Sequence, residues 1–255
     1  MIGRALAFAA LLVGCILSAT SAGAEDRAAD SSAVRGVVEL FTSQGCSSCP
    51  PAEAILGKLS EDPGIVALAY HVDYWDYIGW TDPHGSRANT ERQRAYAKAF
   101  NTGTIYTPQA IINGQRNVVG SRAAEIDRAV AETTLHDTPA TVDLLLRGDR
   151  LHISADGPLT VPGGKTPVLM LITYDHSTKT LVSGGEYDGM TLVNAHAVRD
   201  WRILGMLDGK ALSIDIPLSM LKREGAGRTG YAAVLQTVTD KGAPGPIIAA
   251  AALEF

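Results

Sequence analysis

The chain has 255 residues, of which 46% are hydrophobic and 19% are charged, so it can bury a substantial core and is not a disordered protein. Its formal charge of −5, with no long run of Lys or Arg, excludes nucleic acid and anionic membranes as main partners. With only 3 Cys, the chain must fold by hydrophobic burial and not as a small disulfide-stapled scaffold.

The first 24 residues have the pattern of a secretory signal. Arg4 precedes an apolar run over 5–17, and residues 22–24 read Ala-Gly-Ala, so we predict cleavage before Glu25. The run is shorter than a helix that spans about 30 Å of hydrocarbon, so no integral membrane span is expected after cleavage. Because residues 12–15 also resemble a lipoprotein signal, lipidation of Cys15 is an alternative to a free periplasmic or secreted protein of the bacterial envelope.

Residues 34–134 alternate strand and helix patterns. Apolar residues at helical spacing indicate the helices, Asn113-Gly114 predicts a tight hairpin, and Ser121 is a predicted helix cap. The predicted elements are strand 37–41, helix 52–59, strand 65–74, helix 89–100, strands 109–112 and 117–119, and a helix through 123–131. This order predicts an α/β domain over 34–134.

The remainder of the chain has a different texture. Short strand-like runs separated by Gly and Pro turns predict an all-β, sandwich-like domain over residues 139–255. The predicted strands are 141–146, 151–155, 168–174, 192–198, 201–206, 211–216, 231–239 and 247–255.

A single C-x-x-C motif carries the chemistry that the sequence suggests. Cys46 and Cys49 lie between the first strand and the first helix, where unpaired N–H groups and the helix dipole favour a thiolate at Cys46. Cys46 would attack a disulfide, and Cys49, one turn later, would resolve the mixed disulfide. A structural disulfide is one alternative, although so short a loop yields only about 2 kcal/mol. A metal pair is another, but two further ligands are missing, so no metal and no cofactor is predicted.

The residues around this motif resemble a known superfamily. The segment VVELFTSQGCSSCP at 37–50, followed by Tyr106-Thr107-Pro108, resembles the thioredoxin superfamily. With the β-rich second half, the chain resembles the exported family called domain of unknown function 1223. The resemblance implies a thioredoxin-like fold over 34–134, a cis-proline at Pro108 opposite the cysteines, and a Thr107 backbone that pairs with an extended substrate. A trans-proline at a strand start is the alternative.

An aromatic loop should lie beside the cysteines. Because the ends of the first two strands share one sheet edge, we expect Cys46, the loop after Tyr74, and Pro108 to cluster. The loop contains Tyr74, Trp75, Tyr77 and Trp80. Tyr74 and Trp75 are predicted either to dock a protein substrate or to form a hydrophobic plug between the two halves.

One acidic residue on the first strand has a suggested catalytic role. By position, Glu39 resembles the buried acid that accepts the resolving thiol's proton in related oxidoreductases, with a salt bridge as the alternative. The ionisable residues near the aromatic loop match no defined metal spacing and are predicted to be solvated: His71, Asp73, Asp76, Asp82 and His84.

These features predict an exported thiol–disulfide oxidoreductase that acts on protein thiols and disulfides through Cys46 and Cys49 and is recycled by a redox partner not identified by the sequence. The alternative is a redox-switched protein-binding module without turnover. A third possibility is an inert envelope protein with a local disulfide.

Overall fold

The computed structural model describes residues 26–133, 135, 139–159, 161, 165–221 and 227–255, so the predicted signal segment and Cys15 lie outside it. Three α-helices and twelve strands make up this described part. In chain order they are β1 Arg27–Asp30, β2 Gly36–Thr42, α1 Pro50–Leu59, β3 Ile65–His71, α2 Arg87–Ala99, β4 Gln109–Ile112, β5 Arg116–Val119, α3 Ala123–Glu132, β6 Thr141–Arg147, β7 Arg150–Asp156, β8 Thr166–Leu181, β9 Thr191–Met206, β10 Leu212–Pro217, β11 Thr229–Val238 and β12 Pro244–Glu254.

The strands form two sheets, and the predicted fold class is wrong. A large sheet has the order β12-β11-β8-β9-β3-β2-β4-β5, and a small one has the order β1-β6-β7-β10. The chain is therefore mostly β, and it does not fold as a thioredoxin-like α/β unit followed by a separate all-β sandwich. Strands from both halves of the sequence share the large sheet, and the N-terminal β1 pairs with β6 in the small one.

The join between the two halves explains the error. β3 pairs in parallel with β9 at Ala69 and Ala197. Alternating hydrophobicity predicts that a segment is a strand but does not identify its partner, and a parallel pair between strands so far apart in the sequence has no hairpin signal. The predicted strands 192–198 and 201–206 are also one continuous strand, β9, with a register shift opposite Thr173 and Tyr174.

Local predictions in the first half mostly agree with the structure. All three helices occur close to their predicted positions. In the β4–β5 turn, Asn113 and Gly114 have φ values of 50° and 64°, as the hairpin signal predicted. The predicted cap of α3 is wrong, because Arg122 precedes this helix and makes no side-chain capping bond.

Three hydrophobic clusters hold the sheets together. One includes Phe41, Tyr96, Met170 and Val234, and so joins β2 and α2 to β8 and β11. A second fills the space between the small sheet and strands β8, β11 and β12. The third lies beneath α1 and α3, against β2, β3 and β4. The end of β2 and the start of α1 are therefore fixed by packing on both faces of the large sheet.

No helix in the described ranges is both long enough and apolar enough to cross a membrane.

Candidate functional site

Cys46 and Cys49 form a disulfide in the connection between β2 and α1, with their Cα atoms 5.4 Å apart. The Cys49 N–H donates to the Cys46 carbonyl at 3.0 Å and closes the turn between them. Cys46 is 0% exposed and Cys49 is 1% exposed, whereas Ser47 and Ser48 are exposed. The loop between the cysteines therefore faces solvent while the sulfur atoms lie beneath it.

The start of α1 differs from the simple expectation of free N–H groups beside Cys46. Pro50 and Pro51 have no N–H, and those of Ala52 and Glu53 donate to the Cys49 carbonyl at 2.9 and 3.1 Å. The group next to the sulfur is the Ser48 hydroxyl, 3.4 Å from Cys46 Sγ. A Cys46 thiolate would thus be stabilised by this hydroxyl and by the dipole of α1.

The Thr107–Pro108 peptide bond is cis and lies beside the loop between the two cysteines. The Ser48 hydroxyl points to the Thr107 carbonyl at 3.5 Å, and Trp75 Nε1 donates to Thr107 Oγ1 at 2.8 Å. The structure thus brings together the cysteine loop, Trp75 and the segment before β4, as the shared sheet edge predicted.

The aromatic loop covers the cysteine loop and also offers an exposed ring. A Cβ on Gly45 would lie 3.1 Å from both Ile78 Cδ1 and Trp75 Cβ, so only glycine fits comfortably beneath this loop. Tyr77 stacks on Trp75 with ring centroids 6.3 Å apart and is 81% exposed. Trp80 contacts residues of the β8–β9 connection around Gly185. The loop therefore joins the two halves and leaves Tyr77 accessible.

Tyr74 bonds to α2. Its hydroxyl donates to Gln93 Oε1 on α2 at 3.2 Å, and burial raises the pKa of the phenol. Both aromatic residues predicted to bind substrate therefore lie near Thr107, with Trp75 making the 2.8 Å hydrogen bond to its hydroxyl and Tyr74 interacting with the same side chain.

Tyr187, which sequence reasoning missed, forms a cover over the cysteine loop. It belongs to the short 3₁₀ turn between β8 and β9, and its hydroxyl donates to the Ser47 carbonyl at 2.9 Å. The two residues are 140 positions apart in the sequence, so no local pattern connects them. The second half of the chain therefore contributes directly to the site.

Glu39 lies in a buried ion pair and not beside the cysteines. Its Oε1 accepts from Arg92 Nε at 2.8 Å, and its Oε2 accepts from the Tyr96 hydroxyl. Side chains alternate along a strand, and Glu39 shares its face with Phe41, which packs with Tyr96 of α2. Helix α1 covers the opposite face of β2. The structure therefore matches the salt-bridge interpretation of Glu39.

A second carboxylate, on α1, lies much closer to the chemistry. Glu53 follows Cys49 by one helical turn, its side chain is 12% exposed, and both its oxygens are buried with no hydrogen-bond partner in the described structure. Its Oε1 is 3.8 Å from Nε2 of the fully buried His71. On the other side of that ring, His71 Nδ1 is 2.7 Å from Asp82 Oδ2. The three residues form a continuous polar array behind Cys49.

The charges of this array are coupled. Burial disfavours a charged His71, but Asp82 and, more weakly, Glu53 outweigh burial and raise the pKa of the imidazole. For Asp82, burial is likewise outweighed by His71 and by hydrogen bonds from backbone N–H groups, so the pKa of this carboxyl is lowered. Burial and the charge on His71 lower the pKa of His84 to about 4. The prediction that these residues are solvated is wrong for His71 and Asp82, which are buried.

A cavity of about 270 Å³ opens beside the disulfide. Its lining includes Cys49, Glu53, Tyr187 and residues 192–195 of β9. Cys49 and Glu53 therefore line one cavity, whereas Cys46 is not part of that lining.

The comparisons with known proteins define the relatives of the chain. A family described as "Protein of unknown function (DUF1223)" matches residues 37–236. A crystal structure of a protein from Agrobacterium tumefaciens is similar to the chain, with a TM-score of 0.72 and 37% sequence identity over 86% of this chain and 94% of that one. No curated protein matches the chain.

Proposed function

Because the chain belongs to the DUF1223 family of proteins of unknown function, its activity must be inferred from its own site, and we propose that it is an exported thiol–disulfide oxidoreductase. The observation that carries the proposal is the Cys46–Cys49 disulfide at the start of α1, with its loop beside the cis Thr107–Pro108 bond. In these two features the site resembles thioredoxin-like oxidoreductases. The resemblance concerns the active-site motif and not the overall fold. The signal pattern of the first 24 residues supports export to the periplasm or beyond.

The proposed reaction transfers two electrons between the cysteine pair and a protein substrate. In the reducing direction, the Cys46 thiolate attacks a substrate disulfide, so that a Cys46–substrate bond forms while the substrate S–S bond breaks. The released substrate thiolate takes up a proton. Cys49 then attacks Cys46 Sγ, which closes the enzyme disulfide and releases the second substrate thiol. The oxidising direction is the same sequence in reverse.

Glu53 is our candidate for the group that accepts the Cys49 proton in the second step. Glu53 is one helical turn from Cys49 and lines the same cavity, and its buried carboxylate oxygens have no hydrogen-bond partner among the described residues. A positioned general base of this kind contributes about 10²- to 10⁴-fold to a rate. His71 and Asp82 act as positioning residues, since the imidazole faces Glu53 and Asp82 fixes the imidazole.

Access to the sulfur atoms requires the cover to move. Tyr187 and the aromatic loop both contact the segment around the cysteines, and both cysteines are buried in this arrangement. We infer that substrate docks on the exposed Tyr77 and the partly buried Trp75 and displaces the loop that Ser47 and Ser48 form between the cysteines. An extended substrate segment would then lie along the Thr107 backbone.

The experiment that tests the proposal mixes the full chain with a defined fluorescent peptide that contains one disulfide. The wild type should accelerate exchange between this peptide and glutathione, and the Cys49→Ser variant should accumulate a mixed disulfide through Cys46 that is visible by mass. Cys46→Ser is the matched control and should form no such adduct. Absence of both acceleration and adduct would refute the proposal.

A redox-switched binding module is the second candidate function. The observation that favours it is the burial of Cys46 and Cys49, at 0% and 1% exposure, since a structural lock needs no access to substrate. In that case, reduction of the disulfide would free Tyr187 and the cysteine loop to move, and no substrate would be turned over. This alternative predicts that the affinity of the wild type for a partner changes with the redox state of the disulfide. It also predicts that the Cys46→Ala variant still binds the partner.

A further inference from the structure

Two histidines and a glutamate that take no part in the proposed exchange reaction meet on the large sheet. His176 of β8 and His196 of β9 lie opposite each other, as the pairing of Asp175 with Ala197 requires. Glu254, at the end of β12, reaches both rings: its Oε2 is 2.8 Å from His176 Nδ1, and its Oε1 is 2.8 Å from His196 Nε2. One ligand atom from each residue can be chosen so that all lie within 4.8 Å of one another.

The hydrogen bonding of His196 leaves one nitrogen able to bind a cation. His196 is only 5% exposed, and its Nδ1 lies 2.8 Å from the Ala67 carbonyl oxygen. Because a carbonyl only accepts, Nδ1 carries a proton, and Nε2, which faces Glu254, is the ring nitrogen that a metal ion could bind.

The contacts with Glu254 do not satisfy these nitrogens as hydrogen bonds. His196 Nε2 and His176 Nδ1 are both buried and have no hydrogen-bond partner in the described part of the chain, although each is 2.8 Å from a carboxylate oxygen. A cation shared by the three side chains would account for these unpartnered nitrogen atoms.

The surroundings have the features of a supported metal site. Metal-binding histidines usually donate their second N–H to a carbonyl or carboxylate, as His196 does to Ala67. The Tyr174 hydroxyl donates to Glu254 Oε1 at 3.2 Å and orients the carboxylate. His196 also has a φ of 49°, a left-handed conformation that is uncommon for a residue other than glycine.

The cluster is accessible from one side. A cavity of about 400 Å³ is lined by Tyr174, His196 and Glu254, among others. Arg228 Nη2 lies 3.3 Å from Glu254 Oε2, but its side chain is 58% exposed and is free to turn towards solvent. An ion could therefore enter, and the cavity leaves room for a further ligand such as water.

We propose that His176, His196 and Glu254 bind a divalent transition-metal ion, with Zn²⁺ as the first to test. Two imidazole nitrogens and a carboxylate are the protein ligands of zinc sites that keep a fourth position open, and the same set also suits Fe²⁺. Ligand atoms around tetrahedral zinc lie about 3.3 Å apart, so the two 2.8 Å contacts with Glu254 need to lengthen by about 0.5 Å and the widest separation, within 4.8 Å, needs to shorten by up to about 1.5 Å. The sequence predicted no metal site, because the three residues are far apart in the chain and form no motif.

The test is a calorimetric titration of the full chain with Zn²⁺ after removal of metals by EDTA, with the Cys46–Cys49 disulfide kept closed so that no thiolate competes. We expect one equivalent to bind. His196→Gln and Glu254→Gln should each weaken binding by more than about 100-fold, because loss of an outer partner of a metal ligand alone weakens it about 10- to 100-fold. His152→Gln is the matched control, since this ring pairs with Asp215 at the surface and should leave binding unchanged.

A second measurement keeps the proposal testable if a variant fails to fold. Wild-type chain loaded with Co²⁺ should show visible absorption typical of a tetrahedral nitrogen and oxygen site, without the charge-transfer band of a thiolate. His176→Gln, at a partly exposed position, should abolish that absorption. If the wild type binds neither ion, or if all three ligand variants bind as it does, the cluster is a network of hydrogen bonds and ion pairs without a metal, and the proposal is overturned. This result is independent of exchange activity, because the site does not include the cysteines.

Discussion

Replacing Asp82 by Asn should destabilise the protein, because it leaves the buried His71 without its carboxylate partner. Both side chains of this pair are 0% exposed, and the distance between His71 Nδ1 and Asp82 Oδ2 is 2.7 Å. Asp82 also accepts from the backbone N–H groups of Gln44 at 2.7 Å and His84 at 2.9 Å. The substitution therefore affects the loop before Cys46 as well as the array behind Cys49.

The size of the effect follows from the number of donors and the burial. An Asn side chain keeps one acceptor oxygen for three donors, so at least one donor loses its partner at about 1–3 kcal/mol. Breaking a fully buried ion pair by removing one partner typically lowers stability by about 3–5 kcal/mol. We expect a decrease of about 3–5 kcal/mol in the free energy of unfolding near pH 6.

The effect should depend on pH in a defined direction. The pKa of His71 is raised in the folded chain. Its contribution to the free energy of unfolding is therefore complete below the pKa of about 6.5 in the unfolded chain, and it is lost as the pH rises through the pKa in the folded chain. The pKa of Asp82 is lowered, so its contribution is present above about 3.9 and is lost as the pH falls through the folded value. The pair therefore contributes fully between about pH 4 and pH 6.5, and the difference between wild type and variant should shrink by pH 9.

Urea unfolding of the oxidised chain, followed by tryptophan fluorescence at pH 6 and pH 9, measures this difference. Asp215→Asn is the matched control, because it breaks the pair with His152 at 3.2 Å between side chains that are 53% and 35% exposed. Exposed pairs contribute at most about 1 kcal/mol, so the control should change little. A loss below about 1 kcal/mol for Asp82→Asn, or a loss that grows with pH, would refute the reasoning.

The remaining predictions concern the cover, the proposed base and the ion pair. Tyr187→Phe removes a hydrogen bond of about 1 kcal/mol to the cysteine loop. Reduction of the disulfide by dithiothreitol, measured by timed alkylation, should therefore become about fivefold faster. An unchanged rate would mean that this contact does not limit access to the disulfide. Glu53→Gln should slow decay of the mixed disulfide by about 10²-fold or more at neutral pH, and decay at the wild-type rate would exclude Glu53 as the proton acceptor for Cys49. Glu39→Gln leaves the buried Arg92 charge without its carboxylate partner and should lower the free energy of unfolding by about 3–5 kcal/mol. The pH profile of disulfide exchange should not change. A changed profile in a folded variant would indicate a catalytic role for Glu39.

Local rules and sheet topology were sufficient to predict the centre of the site. The C-x-x-C spacing, the hairpin after Pro108 and the shared edge of β2 and β3 placed the cysteine loop, Trp75 and Thr107 together, and hydrogen bonds join these groups in the structure. Glu53 was also within reach of sequence reasoning, because it lies four residues after Cys49 in a predicted helix and so occupies the same helix face.

The features that escaped prediction depend on contacts between distant parts of the chain. The parallel pairing of Ala69 with Ala197 merges the two halves into one sheet, and nothing in either strand identifies the other as its partner. The Tyr187 cover depends on that merger. For Glu39, alternation along β2 predicted two faces, but which face α1 would cover became clear only from the packing.

The most direct test of the central claim is an equilibrium redox titration of the Cys46–Cys49 pair in glutathione and dithiothreitol buffers, with the oxidised fraction read from the mass added by alkylation. A potential between about −270 and −120 mV, the range of disulfide exchange catalysts, is the result that the proposed oxidoreductase predicts. A disulfide that stays closed below about −300 mV would be a structural bond and would contradict the proposal.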